Sequence, residues 1–251
     1  MSWRPVVAGV TLVADFNAAV SRALSLIIGL DGELFEIIVL SLKVSVSAVV
    51  FAAAIGLPLG AALAVARFRG RRAIIVLINT LMGLPPVVVG LMVYLMVTAH
   101  GPLGVLQILY TPAAMIIAQT ILITPIIAAL ARQTIKDLHS EFDEQLRAFG
   151  LSTFERVKTL LWEGRLRLVT ALLAGFGRAI AEVGAVIIVG GNINHVTRTM
   201  TTAIALETSR GNLALALALG LVLLSMALAI NALVLGLRPM RHRSQPYGLR
   251  L

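Results

Sequence analysis

Long apolar runs alternate along this chain with short basic or Gly/Pro-rich intervals. The runs lack the every-second-residue alternation of a membrane β-barrel. A helix needs about 20 apolar residues to cross a bilayer. Five stretches predict such helices, at about 34–66, 73–97, 112–131, 168–190 and 213–237. The pattern therefore predicts an all-α membrane protein with one transmembrane domain over 34–237. The first stretch is longer than a crossing requires; Lys43 near one end can snorkel, and Gly56, Pro58 and Gly60 predict a bend near the other. In the second, Pro85 and Pro86 fall at the midpoint and remove two helix donors. Such a break survives at membrane depth where protein or a water-filled cavity satisfies the freed carbonyls. Pro85 and Pro86 are thus candidates for a translocation pathway, a packing kink being the other reading. Gln119, Thr120, Thr124 and Pro125 give the third stretch polar content and a bend; the two threonines share a face and suit interhelical hydrogen bonds.

The fourth stretch carries Arg178 and Glu182 near mid-span, four residues apart and able to pair. Ionisable groups at that depth are costly, so they are candidate gate residues or a structural ion pair. Gly177, Ala181 and Gly184 predict a small-residue packing face. The interval 191–212 reads as a Thr/Asn/Gly-rich loop. Asn192, Thr197, Thr199, Thr201 and Thr202 in it are candidate donors at the pathway's outer mouth. Residues 1–33 read as an extracytoplasmic leader, with one apolar face from Val20 to Ile28 suited to lying in the interface.

One interval is polar and helix-forming. In 132–167, Leu138, Phe142, Leu146 and Phe149 recur at steps of four, four and three, an apolar face on a helix. Gly150 supplies the stop, and Ser152 with Glu155 makes a capping box that opens a second helix. The segment predicts a helix, a tight turn and a helix at a membrane surface.

Charge orients the bundle. The net charge is +9 and 59% of residues are hydrophobic. Most Lys and Arg fall in 67–72, in 132–167 and in the basic tail 238–251, a loop asymmetry that places those segments in the cytoplasm and the N-terminus outside. The positive charge is thus topological, and no nucleic-acid partner is predicted. The chain has no Cys, and His100, His139, His195 and His242 are scattered, so no metal site or cysteine nucleophile is predicted. No GxxxxGK[ST] loop occurs, so the chain has no phosphate loop for ATP. No nucleophile–base set is legible, and no catalytic residue is assigned.

The polar segment resembles the cytoplasmic loop of ABC-importer permeases. Glu144, Gly150 and Leu160 match that loop's Glu, Gly and apolar positions. Gln145 and Leu146 stand where it has two alanines, and Trp162-Glu163 replace its Leu-Pro ending. The runs Arg178–Gly184, Gly191–Ile193, Thr197–Ile204 and Gly211-Asn212, with Leu84–Gly90, resemble the molybdate, tungstate and sulfate permease group, TTAIALETSRGN being most similar to its tungstate branch. This resemblance implies a five-helix type I (MetI-like) permease with a cytoplasmic coupling helix in an inner, prokaryotic membrane. It implies two copies of the chain, two ATPase subunits that carry ATP-Mg, and an external oxyanion-binding protein; this chain itself would hold no cofactor. It implies that Phe142, Glu144, Leu146, Arg147, Phe149 and Gly150 contact the ATPase. An ion-coupled secondary carrier is the alternative of another class.

Overall fold

The computed structural model describes residues 17, 20–29 and 31–237. Residues 1–16, most of the predicted leader, and the basic tail 238–251 lie outside that set. All regular structure among the described residues is helical. Nine helices are numbered here: α1 (Gly32–Val65), α2 (Arg71–Leu81), α3 (Pro86–Val97), α4 (Pro112–Ala148), α5 (Thr153–Glu163), α6 (Arg165–Ile180), α7 (Gly184–Gly190), α8 (Met200–Arg210) and α9 (Leu213–Leu237). A helical segment over 20–28 precedes them.

The pairing of α1 with α4 is the most extensive in the molecule. It follows from a stripe on α1 at four-residue steps, namely Ala48, Ala52, Gly56 and Gly60. A Cβ on Gly56 would stand 3.1 Å from the Thr124 carbonyl oxygen, and one on Gly60 only 2.4 Å from that of Ala128. The two backbones therefore touch, the arrangement that small residues permit between membrane helices. Ile123 and Ile127 of α4 fill the space above, against Ala48 and Ala52. Helix α1 runs unbroken through Pro58, and its glycines serve close approach. The basic run just beyond closes the helix end. Arg71 Nε donates to the Leu63 carbonyl at 2.7 Å, supplying one of the C-terminal carbonyls with a partner.

Helix α4 has 37 residues and joins what reads in the sequence as a span and a separate polar loop. Its apolar surface narrows to one face through Ala131, Ile135, Leu138 and Leu146, and no breaker intervenes. Pro125 is carried inside it. Thr120 and Thr124 hydroxyls donate back to the Ile116 and Thr120 carbonyls at 2.7 and 2.6 Å. The Thr120 hydroxyl also reaches the Ala48 carbonyl of α1 at 3.5 Å, the predicted interhelical contact, and Gln119 Nε2 adds a shorter one to the Ala179 carbonyl at 3.0 Å.

Two predicted spans are broken. Helices α2 and α3 meet at 101°, and α6 and α7 at 59°. Among the described residues three helices are long and apolar enough to cross a membrane, or up to five if each bent pair is one span. The first break has its cause in the sequence, since Pro85 is extended and Pro86 takes the first turn of α3, where a missing N–H is tolerated. The interval read as a loop at 191–212 contains α8, opened by a capping box between Thr199 and Thr202. The segment 20–28 is held by the bundle: Ala23 is fully buried with Leu34, Ile37, Met200 and Leu219.

Gly60→Val puts branched carbons into the α1–α4 contact. It is expected to cost about 1–3 kcal/mol or more, read as a lowered melting temperature of the purified chain in detergent, whereas Gly177→Val, which points into open space, changes it little.

Candidate functional site

The polar segment forms an elbow built from local chemistry. At the end of α4, Gly150 takes φ +64° and Leu151 N reaches back to the Leu146 carbonyl at 3.4 Å, the wrap expected of a left-handed glycine cap. Two residues later the predicted capping box forms. Ser152 N donates to Glu155 Oε2 at 2.8 Å, and Glu155 N donates to Ser152 Oγ at 3.4 Å. The Ser152 hydroxyl also donates to Glu155 Oε2, at 2.7 Å, and this bond, with the one from Ser152 N, holds the Glu155 carboxyl below its ordinary value, because hydrogen bonds to the charged form favour it.

Burial divides the predicted contact residues of this elbow. Leu146 is buried with Leu138, Leu160 and Leu168, and Phe142 packs beside them, so these two fix α4 onto α5 and α6 instead of facing outward. Glu144, Arg147, Phe149 and Gly150 are exposed. Arg147 is clasped by Asp143 at 2.7 Å. Phe149 is 78% exposed, and Phe154, which the sequence pattern did not single out, is 77% exposed on the other side of the turn. Two bare phenylalanines on a charged tip form a surface of the kind that partners bury.

A second constellation lies in the apolar body, where the two broken spans abut. A Cβ on Gly184 would stand 2.8 Å from Val87 Cγ2, and one on Gly90 2.7 Å from Ala185 Cα. The start of α3, just after Pro85 and Pro86, is therefore pressed against the start of α7. Arg178, in the last turn of α6, pairs with the Glu182 carboxylate. Glu182 Oε1 also accepts from Ala185 N at 3.2 Å, and the Glu182 carbonyl accepts from the Thr201 hydroxyl at 2.7 Å. Backbone groups freed by the break are thus taken up by side chains, as a break at membrane depth requires. The Glu182 side chain is 3% exposed and that of Arg178 36%, so the pair presents its cation to the surroundings. Because the helix ends between them, Gly177, Ala181 and Gly184 do not form the continuous face predicted: Gly177 and Ala181 are open, and Gly184 meets α3.

The predicted donors at 191–212 are buried in internal bonds. The Thr197 hydroxyl donates to the Gly190 carbonyl at 2.5 Å and accepts from Ile193 N. Thr199 and Thr202 cap α8, and Asn192 Nδ2 donates to the Thr202 carbonyl at 3.2 Å. Sequence reasoning missed the charges around them. Arg198, 8% exposed, lies 3.2 Å from Glu33 and 3.9 Å from the buried Glu207, while His195 meets Glu36 at 2.7 Å. Two basic residues of this segment thus clasp the acidic start of α1. The partners are some 160 residues apart in sequence, and no local pattern announces them.

An all-helical membrane body with two broken spans in contact, and an elbow with bare aromatics at its tip, defines a helical transport subunit with a docking surface. The family described as "Binding-protein-dependent transport system inner membrane component" matches residues 56–241, and the chain belongs to that family. It is similar to the "Probable anion ABC transporter permease protein" of Haloferax volcanii, at 42% identity over 205 residues, 80% of this chain and 88% of that one. It is 40% identical over 216 residues to the "Tungstate uptake system permease protein TupB" of Peptoclostridium acidaminophilum, covering 86% and 95% of the two chains. It is 32% identical over 177 residues to the "Molybdenum transport system permease protein ModB" of Azotobacter vinelandii, covering 66% and 76%.

Glu182→Gln keeps the shape of the side chain but strips Arg178 of its counter-charge. It is expected to lower stability by about 1 kcal/mol, since the remaining Arg178 is partly exposed, and to impair transport. A melting curve and an uptake rate both equal to those of the unchanged protein would show the pair to be dispensable.

Proposed function

We propose that this chain is the permease subunit of an ATP-driven importer for a tetrahedral oxyanion, tungstate foremost. The similarity to a tungstate permease over 86% of the chain carries the substrate reading. Likeness to a molybdenum permease supports the same oxyanion class. Family membership implies partners that bind substrate and hydrolyse ATP. In the proposed assembly two copies of the chain form the pathway, and two ATPase subunits holding ATP-Mg seat on the elbow through Phe149, Phe154, Glu144 and Arg147. An external binding protein delivers the anion at the opposite end. The N-terminus lies outside and the C-terminus in the cytoplasm. The absence of a GxxxxGK[ST] run from the sequence supports placing ATP entirely on the partner.

The junction of broken spans is the proposed route, lined by Pro85, Pro86 and the Arg178–Glu182 pair. Conduction needs sites that bind weakly enough to release. A guanidinium already paired with a carboxylate attracts a dianion without trapping it. In this conformation Asn192, Thr197, Thr199, Thr201 and Thr202 serve the architecture around that junction, and their part in transport is to hold it.

Reconstitution in vesicles with the ATPase and the binding protein is the direct test. Tungstate should stimulate ATP hydrolysis more than molybdate or sulfate does. Uptake without the ATPase would instead reveal an ion-coupled carrier, a reading the family match does not favour. The pairing of copies is tested separately. Leu224 and Leu228, 56% and 63% exposed on one face of α9, are replaced by Cys one at a time. Oxidation should trap a dimer from at least one variant, and monomers alone would contradict a shared pathway.

A further inference from the structure

Where α1 ends and the elbow begins, an open cavity of about 430 Å³ is lined by Arg67, His139, Asp143, Arg147, Thr153 and Arg156. Its volume is within the roughly 300–1,000 Å³ of small-molecule sites. The walls come from the end of α1, one face of α4 and the first turns of α5. Asp143 is engaged by Arg147 through both oxygens, Nε at 3.1 Å and Nη2 at 2.7 Å, so those two charges cancel. Arg156 Nε donates to the Leu151 carbonyl at 2.8 Å, which orients its guanidinium and leaves the terminal nitrogens to the cavity. Arg67 makes no hydrogen bond or ion pair among the described residues. His139 Nε2 is 3.7 Å from Asp143, and its Nδ1 is buried without a partner. Two uncompensated guanidinium groups therefore share one concavity, beside an imidazole and a hydroxyl.

We propose that this cavity binds a tetrahedral phosphate-type oxyanion, with Arg67 and Arg156 as its charge partners and Thr153 as a neutral donor. A planar guanidinium fork matches two oxygens of such a group, and two forks match the charge of a dianion. The site is separate from the junction at Arg178 and stands whether or not the transported ion is tungstate. Because the cavity opens where the apolar run of α1 ends, the group can come from a phospholipid head or from a free anion. In either case it ties the first span to both arms of the elbow.

The full-length chain in neutral detergent is titrated calorimetrically with inorganic phosphate, and in parallel placed in nanodiscs of phosphatidylcholine with or without phosphatidate. Arg67→Gln with Arg156→Gln should weaken phosphate binding at least tenfold if the anion is free. If the source is lipid, the same change should abolish a phosphatidate-dependent rise in melting temperature. Arg69→Gln, an exposed arginine outside the cavity, should alter neither. If the double Gln variant does not purify folded, Arg67→Lys with Arg156→Lys replaces it and should weaken the response several-fold by losing the forks. Unchanged responses in both arms, or an Arg69→Gln loss as large as that of the paired variant, would overturn the proposal.

Discussion

Backbone contact between α1 and α4 is the constraint on which the other elements depend. With Gly60 lying against the Ala128 carbonyl, neither helix can slide or rotate without collision, and a packed membrane interior has little else to fix register. Once the pair is set, α4 carries its apolar face beyond the end of α1. There Ala61, Ala64 and Val65 join Ile135, Leu138, Leu146, Leu160 and Leu168 in one cluster. The elbow is therefore not an appendage on a loop. It is the far end of a helix whose near half is clamped in the bundle.

The broken spans show the second rule of a lipid-facing fold, that backbone polar groups need partners within the protein. The break at Pro85 removes donors covalently. That at 181–183 has no proline; it is held by the Glu182 carboxylate on Ala185 N and by the Thr201 hydroxyl on the Glu182 carbonyl. Gln119 from α4 takes the Ala179 carbonyl one turn earlier. Three separate segments thus meet at this break. Its charged pair is tied mechanically to α4 and, through Thr201, to α8.

What could be read in the sequence was what local rules encode. The glycine turn at 150, the Ser152–Glu155 box and the i, i+4 spacing of Arg178 and Glu182 are short-range patterns, and each takes the predicted local form. Features set by distant partners were not legible. The break after Ile180 depends on a hydroxyl some twenty residues away. Helix α8 is capped by Thr202 where Glu or Gln would have made the signal plain. Phe142 and Leu146 share a periodic face with Phe149, but only tertiary packing decides that the first two turn inward. The run-on of α4 was hidden because its narrowing apolar face looks like a span's end. The Arg198 clasp joins residues some 160 positions apart.

Helix α4 also acts as a lever. Between Gln119 and Arg147 it measures about 42 Å at ~1.5 Å per residue. A swing of about 5° between those two points displaces one by about 4 Å relative to the other. Gln119 grips the carbonyl of Ala179, one turn from the Arg178 guanidinium and next to the hinge at 181–183. A rocking of the exposed tip is therefore passed along one continuous helix, through Pro125, to the break where the Arg178 guanidinium is held.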